Sequence, residues 1–222
     1  MRLLVLGGTG FVGRAMAEEG VRRGDEVTVF NRGLRDAIPG AVSLTGDRLA
    51  DGGLAALDKG EWDAVVDTWS AQGEAVGRTA ELLRGRAGLY AYVSSRSVYR
   101  WAAVEVLTED APLADADDPG YAGDKLRAEL ATASFGAPVL LARAGLILGR
   151  YEDVGRLPWW LNRLAAGGPT LAPGPPGMRC RPVRETVEDT WAWLSSIGGA
   201  APMRTDRSRA GLDPAVEASI LG

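Results

Sequence analysis

Apolar and polar positions change rhythm at regular intervals along this chain, and the changes outline a repeat of strand and helix. Residues 2–6, "RLLVL", form a short unbroken apolar run that ends in glycine, the mark of a strand covered on both faces. "FVGRAMAEEGVRRG" then takes helical spacing, with Val12, Met16 and Val21 on one side, Arg14 and Glu18 on another, and Gly24 as a stop. "EVTVF" returns to a strand and completes a strand–helix–strand unit. The alternation continues through "AVSLTGD" (strand), "LAALDKG" (short helix), "DAVVDTWS" (strand) and "QGEAVGRTAELLRGR" (helix). "GLYAYVSS" reads as a strand, residues 121–135 as a helix and "PVLLARAGLILG" as a further strand and its exit. Repetition of this kind predicts an α/β fold of three layers, a doubly wound parallel sheet with right-handed crossovers.

After Gly149 the texture changes. "LPWWLNRLAAGG" has the spacing of a short helix, "PTLAPGPPG" is a turn-rich break, and "RETVEDTWAWLSS" predicts a last amphipathic helix with Val187, Trp191 and Leu194 on one face. "GGAAPMRTDRSRAG" reads as a linker before a final apolar turn near Ile220. The expected organisation is a dinucleotide-binding domain over residues 1–150 and a C-terminal region over 151–222 packed on it, not an independent domain.

Composition narrows the chemistry. The net charge of −4 supplies no global basic field, so neither nucleic acid nor an anionic membrane is an expected partner. The absence of histidine excludes a His-based triad, a His general base and a His-containing metal site. The one cysteine, Cys180, excludes an internal disulfide and a cysteine-cluster metal site, and with no histidine to activate it reads as an incidental small residue. No metal is expected. The apolar start is too short for a signal-peptide core, and no run approaches the ~18 residues of a membrane span. The expectation is a reduced, cytoplasmic protein.

The first strand runs into "GGTGFVG". Gly7 permits a tight turn, Gly10 lets a pyrophosphate approach the backbone, and Gly13 lets the following helix pack closely. Phosphates would lie on the N–H groups around Thr9, Phe11 and Val12, at the positive end of the helix dipole. Opening a βαβ unit, the motif predicts dinucleotide binding in a Rossmann-type fold. The second strand ends in Asn31-Arg32-Gly33, with no carboxylate for the ribose hydroxyls of NAD. A guanidinium there can fork onto a 2′-phosphate, so NADP(H) is preferred through Arg32, with help from Arg35, and NAD(H) stays an alternative.

"YAGDK" places Tyr121 and Lys125 four apart, on one face of a helix, in a chain with only two lysines. The ammonium favours phenolate, so Tyr121 can exchange a proton with a substrate hydroxyl or carbonyl while hydride moves to or from nicotinamide. "YVSSRSVYR" supplies a hydroxyl at the end of the fifth strand, where doubly wound sheets bind ligands.

In that order, "GGTGFVG", "SSRSVY" and "YAGDK" resemble the motifs of the extended short-chain dehydrogenases/reductases. "LVLGGTGFVGRA", "VTVFNRG", "WDAVVD" and "LAPGPP" resemble more closely a reductase subgroup of the NAD-dependent epimerase/dehydratase-like proteins. The resemblance covers roughly residues 1–177 and resumes at "CRPVRETVEDTWAWL". It implies Ser95 as the catalytic serine with Ser94 as its neighbouring candidate, Tyr121 as acid/base, and Lys125 as its tuner and a ligand of the nicotinamide ribose. It also implies Asp47 near the adenine and Thr68 where the fourth strand passes the cofactor. The substrate would be a small carbonyl or hydroxyl compound. "PGPPG" passes almost directly into the last helix, so the substrate lobe looks shortened relative to the family. Ala144 and Arg100 depart from its usual proline and glycine. Tyr99 is read as a supporting residue and reserve acid/base, Trp101, Trp159 and Trp160 as pocket walls, Trp191 and Trp193 as core and rim. Two functions follow: an NADP(H)-dependent oxidoreductase, or a non-catalytic dinucleotide-binding sensor or interaction module. A homodimer through the helices before the serine and carrying the tyrosine is the expected assembly.

Overall fold

The structure is a computed structural model, and it describes residues 1–100, 107–168 and 183–201. The readings placed on Trp101, the "PGPP" segment, Cys180 and Ile220, and on the linker beyond residue 201, lie outside the described residues. The chain divides into two compact units, Met1–Leu146 and Ile147–Gly222.

The first unit is a six-stranded sheet of β1 (Arg2–Leu6), β2 (Glu26–Asn31), β3 (Val42–Thr45), β4 (Ala64–Asp67), β5 (Tyr90–Ser95) and β6 (Val139–Ala144). The spatial order is β3-β2-β1-β4-β5-β6 and every pairing is parallel. This is the doubly wound architecture that the alternation predicts. The connections leaving β1 and β4 run in opposite directions, so the C-terminal ends of these two neighbours form the switch point at which doubly wound sheets bind ligands.

Period-two alternation along β1 builds a core on each face of the sheet. Leu4 and Leu6 join Phe30, Val65, Tyr90 and Tyr92 on one side. Leu3 and Val5 join Val27, Val29 and Val66 on the other, beneath α1 (Phe11–Arg22). The buried stripe of α1 is Gly13, Ala17 and Gly20, while Met16 is exposed and Val12 and Val21 are half-buried. The side chosen by apolar spacing is therefore not the innermost one. Small residues face the sheet because a helix lying close over a flat, fully apolar surface has room for little more than a methyl group.

The opposite face carries α2 (Gly73–Leu82) and α3 (Tyr121–Ala131), which pack on each other. The helix expected over 121–135 tightens after Ala131 into a 3₁₀ turn, Thr132–Phe135, closed by Gly136 at φ 71°. "LAALDKG" likewise forms only a 3₁₀ turn, Ala55–Leu57.

The second unit contains α4 (Arg156–Ala165) and α5 (Val183–Ser196), which touch each other. Among the described residues of α5, Thr190, Trp193 and Leu194 are buried, whereas Trp191 is 42% exposed. The face expected from Val187, Trp191 and Leu194 is thus rotated, and Trp193 takes the inner place, edge-on to Tyr151 at 5.8 Å. Trp159 and Trp160 stack edge-to-face on one another.

Candidate active site

Five of the strands, β1 to β5, bring their C-terminal ends, and the candidate residues, to one edge of the sheet. At β1 the chain turns on Gly7 in the left-handed region, φ 86°. A Cβ there would lie 2.6 Å from Thr68 Oγ1, which together with the Thr68 N–H donates to Leu6 O at the end of β1. Gly10 caps α1 without any side-chain bond, and no acidic residue lies in the first turn. The N–H groups of Phe11, Val12 and Gly13 come before the first intrahelical acceptor, so they face out of a positively polarised helix end. A Cβ on Gly13 would sit 2.6 Å from Gly7 O, so glycine is what lets the helix start lie against the turn. Thr9 is buried in the same turn.

The basic residues after β2 are placed differently from one another. Asn31 accepts from the Gly33 N–H at 2.6 Å and fixes the bend, and Arg32 is exposed beside it. Arg35 reaches back over the glycine-rich turn: its Nη1 donates to Thr9 O at 3.4 Å and lies 3.3 Å from where a Gly10 Cβ would be. Arg35, ranked second from the sequence, is the guanidinium that meets the turn. Asp47 lies just beyond β3, its Oδ1 accepting from the Leu49 N–H at 2.9 Å.

Ser95 ends β5 and is buried, and its Oγ accepts from the Ser97 N–H at 3.1 Å. Tyr121 opens α3 and is 37% exposed. One turn later Lys125 is only 3% exposed. Its Nζ donates to Trp69 O and to Val93 O, both at 2.7 Å, and lies 4.6 Å from the Tyr92 ring and 5.9 Å from the Tyr121 ring. Carbonyls and aromatic faces together offset the desolvation of a buried ammonium. The lysine therefore joins α3 to the ends of β4 and β5, with Ser95 two residues beyond Val93 and Thr68 immediately before Trp69.

Two buried polar networks behind this edge escaped the sequence reading. In the first, Arg48 forks onto Asp67 with bonds of 2.7 and 2.6 Å and also donates to Thr79 Oγ1 and Ala75 O. Asp67 accepts further from Tyr90 Oη and the Trp69 N–H. Burial alone would raise the Asp67 pKa, but the charge and hydrogen bonds of Arg48 outweigh it and hold the carboxyl below the usual range. Burial and the neighbouring carboxylate push Tyr90 well above the ordinary phenol value. In the second, Arg143 binds Glu129 through Nε and Nη2 and donates to Tyr99 Oη, while Ser94 donates to Glu129. Ser94 and Tyr99 are thus committed to a structural network, and Ser95 is the hydroxyl left at the strand end. The available signal was an aspartate inside an otherwise apolar strand, "VVD", which demands a buried partner.

No model of a known protein family matches the chain, and no curated protein matches it. Solved structures do. The Bordetella bronchiseptica enzyme WbmG in complex with NAD superposes with a TM-score of 0.64 at 21% identity, covering 75% of this chain and 60% of that one. WbmG in complex with NAD and UDP gives 0.65 at 18% identity, over 96% of this chain and 84% of that one. A UDP-galactose 4-epimerase gives 0.63 at 22% identity, over 91% and 75%. The likeness shows a shared Rossmann-type fold, the doubly wound parallel sheet that the alternation and the motifs predict. The chain spans about 60% of the WbmG–NAD structure. Among the described residues no helix is long and apolar enough to cross a membrane, and no cluster of side chains could hold a metal ion.

Proposed function

We propose that this chain is an NADP(H)-dependent oxidoreductase, a carbonyl reductase or a sugar epimerase/dehydratase-like enzyme acting on a small carbonyl or hydroxyl substrate. The observation that carries the reading is Lys125, buried below Tyr121 at the sheet edge that Ser95 and the glycine-rich turn share. Besides joining α3 to the ends of β4 and β5, a buried ammonium next to a half-open phenol is suited to proton transfer.

The residues fit a dinucleotide. The turn over Gly7–Gly13 presents outward N–H groups on a positive helix end, and a pyrophosphate needs both. Arg32 and Arg35 would meet a 2′-phosphate, and Asp47 and Thr68 flank the path from adenine to nicotinamide. WbmG is solved with NAD, so the NADP(H) preference rests on these two arginines and on the missing carboxylate after β2. A nicotinamide supplies or removes hydride at a carbon bearing oxygen. The protein then manages that oxygen. Ser95 Oγ, accepting from Ser97, still has its own hydrogen to donate to it. Tyr121 gives or takes the proton, and Lys125 stabilises the phenolate left behind. UDP in one WbmG structure makes a sugar nucleotide the first substrate class to try.

The near-direct passage from "PGPPG" to the last helix favours a second reading, a dinucleotide-binding sensor without turnover. Oxidation of NADPH over a panel of aldehydes, ketones and oxidised sugar nucleotides separates the two. Turnover that disappears in Tyr121→Phe supports the enzyme; saturable NADPH binding with no turnover on any class supports the sensor. The homodimer through α2 and α3 belongs to the same proposal, and scattering from a strict monomer would remove it.

A further inference from the structure

Every side chain of the Arg48–Asp67–Tyr90 network is buried, and none of them can touch a ligand. Its connections nevertheless run both to the Asp47 loop and to the carbonyl that holds Lys125. Arg48 follows Asp47, the residue placed towards adenine, and the Arg48 carbonyl accepts from Arg78 Nη2 at 2.7 Å. Asp67 precedes Thr68, and its Oδ1 accepts from the Trp69 N–H at 2.9 Å, a turn that sets the direction of the next carbonyl. That carbonyl, Trp69 O, takes the Lys125 bond and a second bond from Tyr92 Oη at 3.0 Å. The Arg48 guanidinium also lies 5.1 Å from the Trp69 ring.

We infer that Arg48 and Asp67 are positioning residues which hold the 67–69 turn so that Trp69 O fixes the Lys125 ammonium, and which tie that ammonium to the Asp47 loop. Lys125 has three N–H directions. Whichever carbonyls hold it decide how the ammonium is presented to the phenol and to a ribose. A fork onto a carboxylate resists rotation about the arginine end, so a bidentate pair is suited to fixing a turn where a single bond is not. Burial of the whole network leaves no water to substitute for a lost member. Only one residue, Trp69, stands between this pair and Lys125: its N–H goes to Asp67 and its carbonyl takes the ammonium. The importance of Lys125 rests on the function proposed above, whereas its dependence on the pair does not.

The chain's two lysines, Lys59 exposed and Lys125 buried, make the test direct. The protein labelled with ε-¹⁵N-lysine should give one exchange-protected ammonium signal, absent in Lys125→Met. In the charge-neutral paired variant Arg48→Met/Asp67→Asn, shown to be folded by circular dichroism, that signal should shift and exchange faster. Should the paired variant not fold, Tyr90→Phe removes only one bond to Asp67 and should move the signal less, in the same direction. A Lys125 signal unchanged in position and exchange in the folded variant overturns the inference, even if thermal stability falls. Adding NADPH separates this from the proposed function. With the function correct, NADPH perturbs the wild-type signal; a signal that answers to the pair but not to NADPH or NADH rejects the cofactor reading and keeps the positioning. With both correct, the paired variant binds NADPH about tenfold more weakly, and adding Lys125→Met changes affinity by less than about twofold, the non-additivity of residues acting in series.

Discussion

The glycine-rich turn and the lysine patch lie on one sheet edge and are built by opposite means. The turn is made by removing side chains: a Cβ on Gly7 would meet Thr68, and one on Gly13 would meet the backbone of Gly7 and Gly8. Its chemistry comes from N–H groups and a helix end. The patch is made by burying charge, with Lys125, Asp67 and Arg48 each no more than 5% exposed. Its chemistry comes from side chains whose burial must be offset by specific partners. A backbone site tolerates any neighbour that is small enough. A buried polar site fails when one partner is lost.

The comparison should break first at Asp67. Asp67→Ala leaves Arg48 buried without its carboxylate, and unfolding in denaturant should show a loss of about 3–5 kcal/mol. The paired change Arg48→Met/Asp67→Asn should recover most of it. The sign of the pH effect follows from the lowered carboxyl: its contribution is complete above the ordinary carboxylate range and is lost as pH falls through the depressed folded value. Wild type should therefore lose more stability than the paired variant on acidification below about pH 4.

Tyr121→Phe removes one hydroxyl from a residue that is 37% exposed and should keep the fold. Turnover on any accepted carbonyl should fall by about 10²–10⁴-fold with NADPH affinity nearly unchanged. Equal loss of affinity would show that the phenol holds the dinucleotide rather than the proton. Ser95→Ala should lower kcat roughly a hundredfold, the scale for losing one donor to a developing oxyanion.

The smallest of these effects sharpens the turn's side of the comparison. Arg35→Ala should weaken NADPH by about 1.5–3 kcal/mol and NADH by less, because only NADPH carries the 2′-phosphate. Arg35 meets Thr9 and Gly10, so its loss should exceed that of Arg32→Ala; the reverse order would return the phosphate to Arg32.

What could be read from the sequence divides along the same line. The turn depends on local spacing, so "GGTGFVG" after an apolar run announced its strand, its bend and its helix. Tyr121 and Lys125 were visible because i and i+4 share a helix face. Arg48 and Asp67 are 19 residues apart and meet only once β3 and β4 have taken their places in the sheet, so no local period reports them. The same holds for Glu129 and Arg143. Apolar spacing misjudged α1 and α5 for a related reason. Which side faces in is set by the room available, and that favoured Gly13, Ala17 and Gly20 over Met16, and Trp193 over Trp191.

The central claim is that the two regions serve one ligand, a nicotinamide dinucleotide. Equilibrium titration of NADPH into the protein, followed by its fluorescence, tests this without a known substrate. The expected result is saturable binding that is retained in Tyr121→Phe, weakened in Lys125→Met and weakened again by a side chain at Gly13. Absence of saturable binding for both NADPH and NADH, in a folded protein, would contradict it.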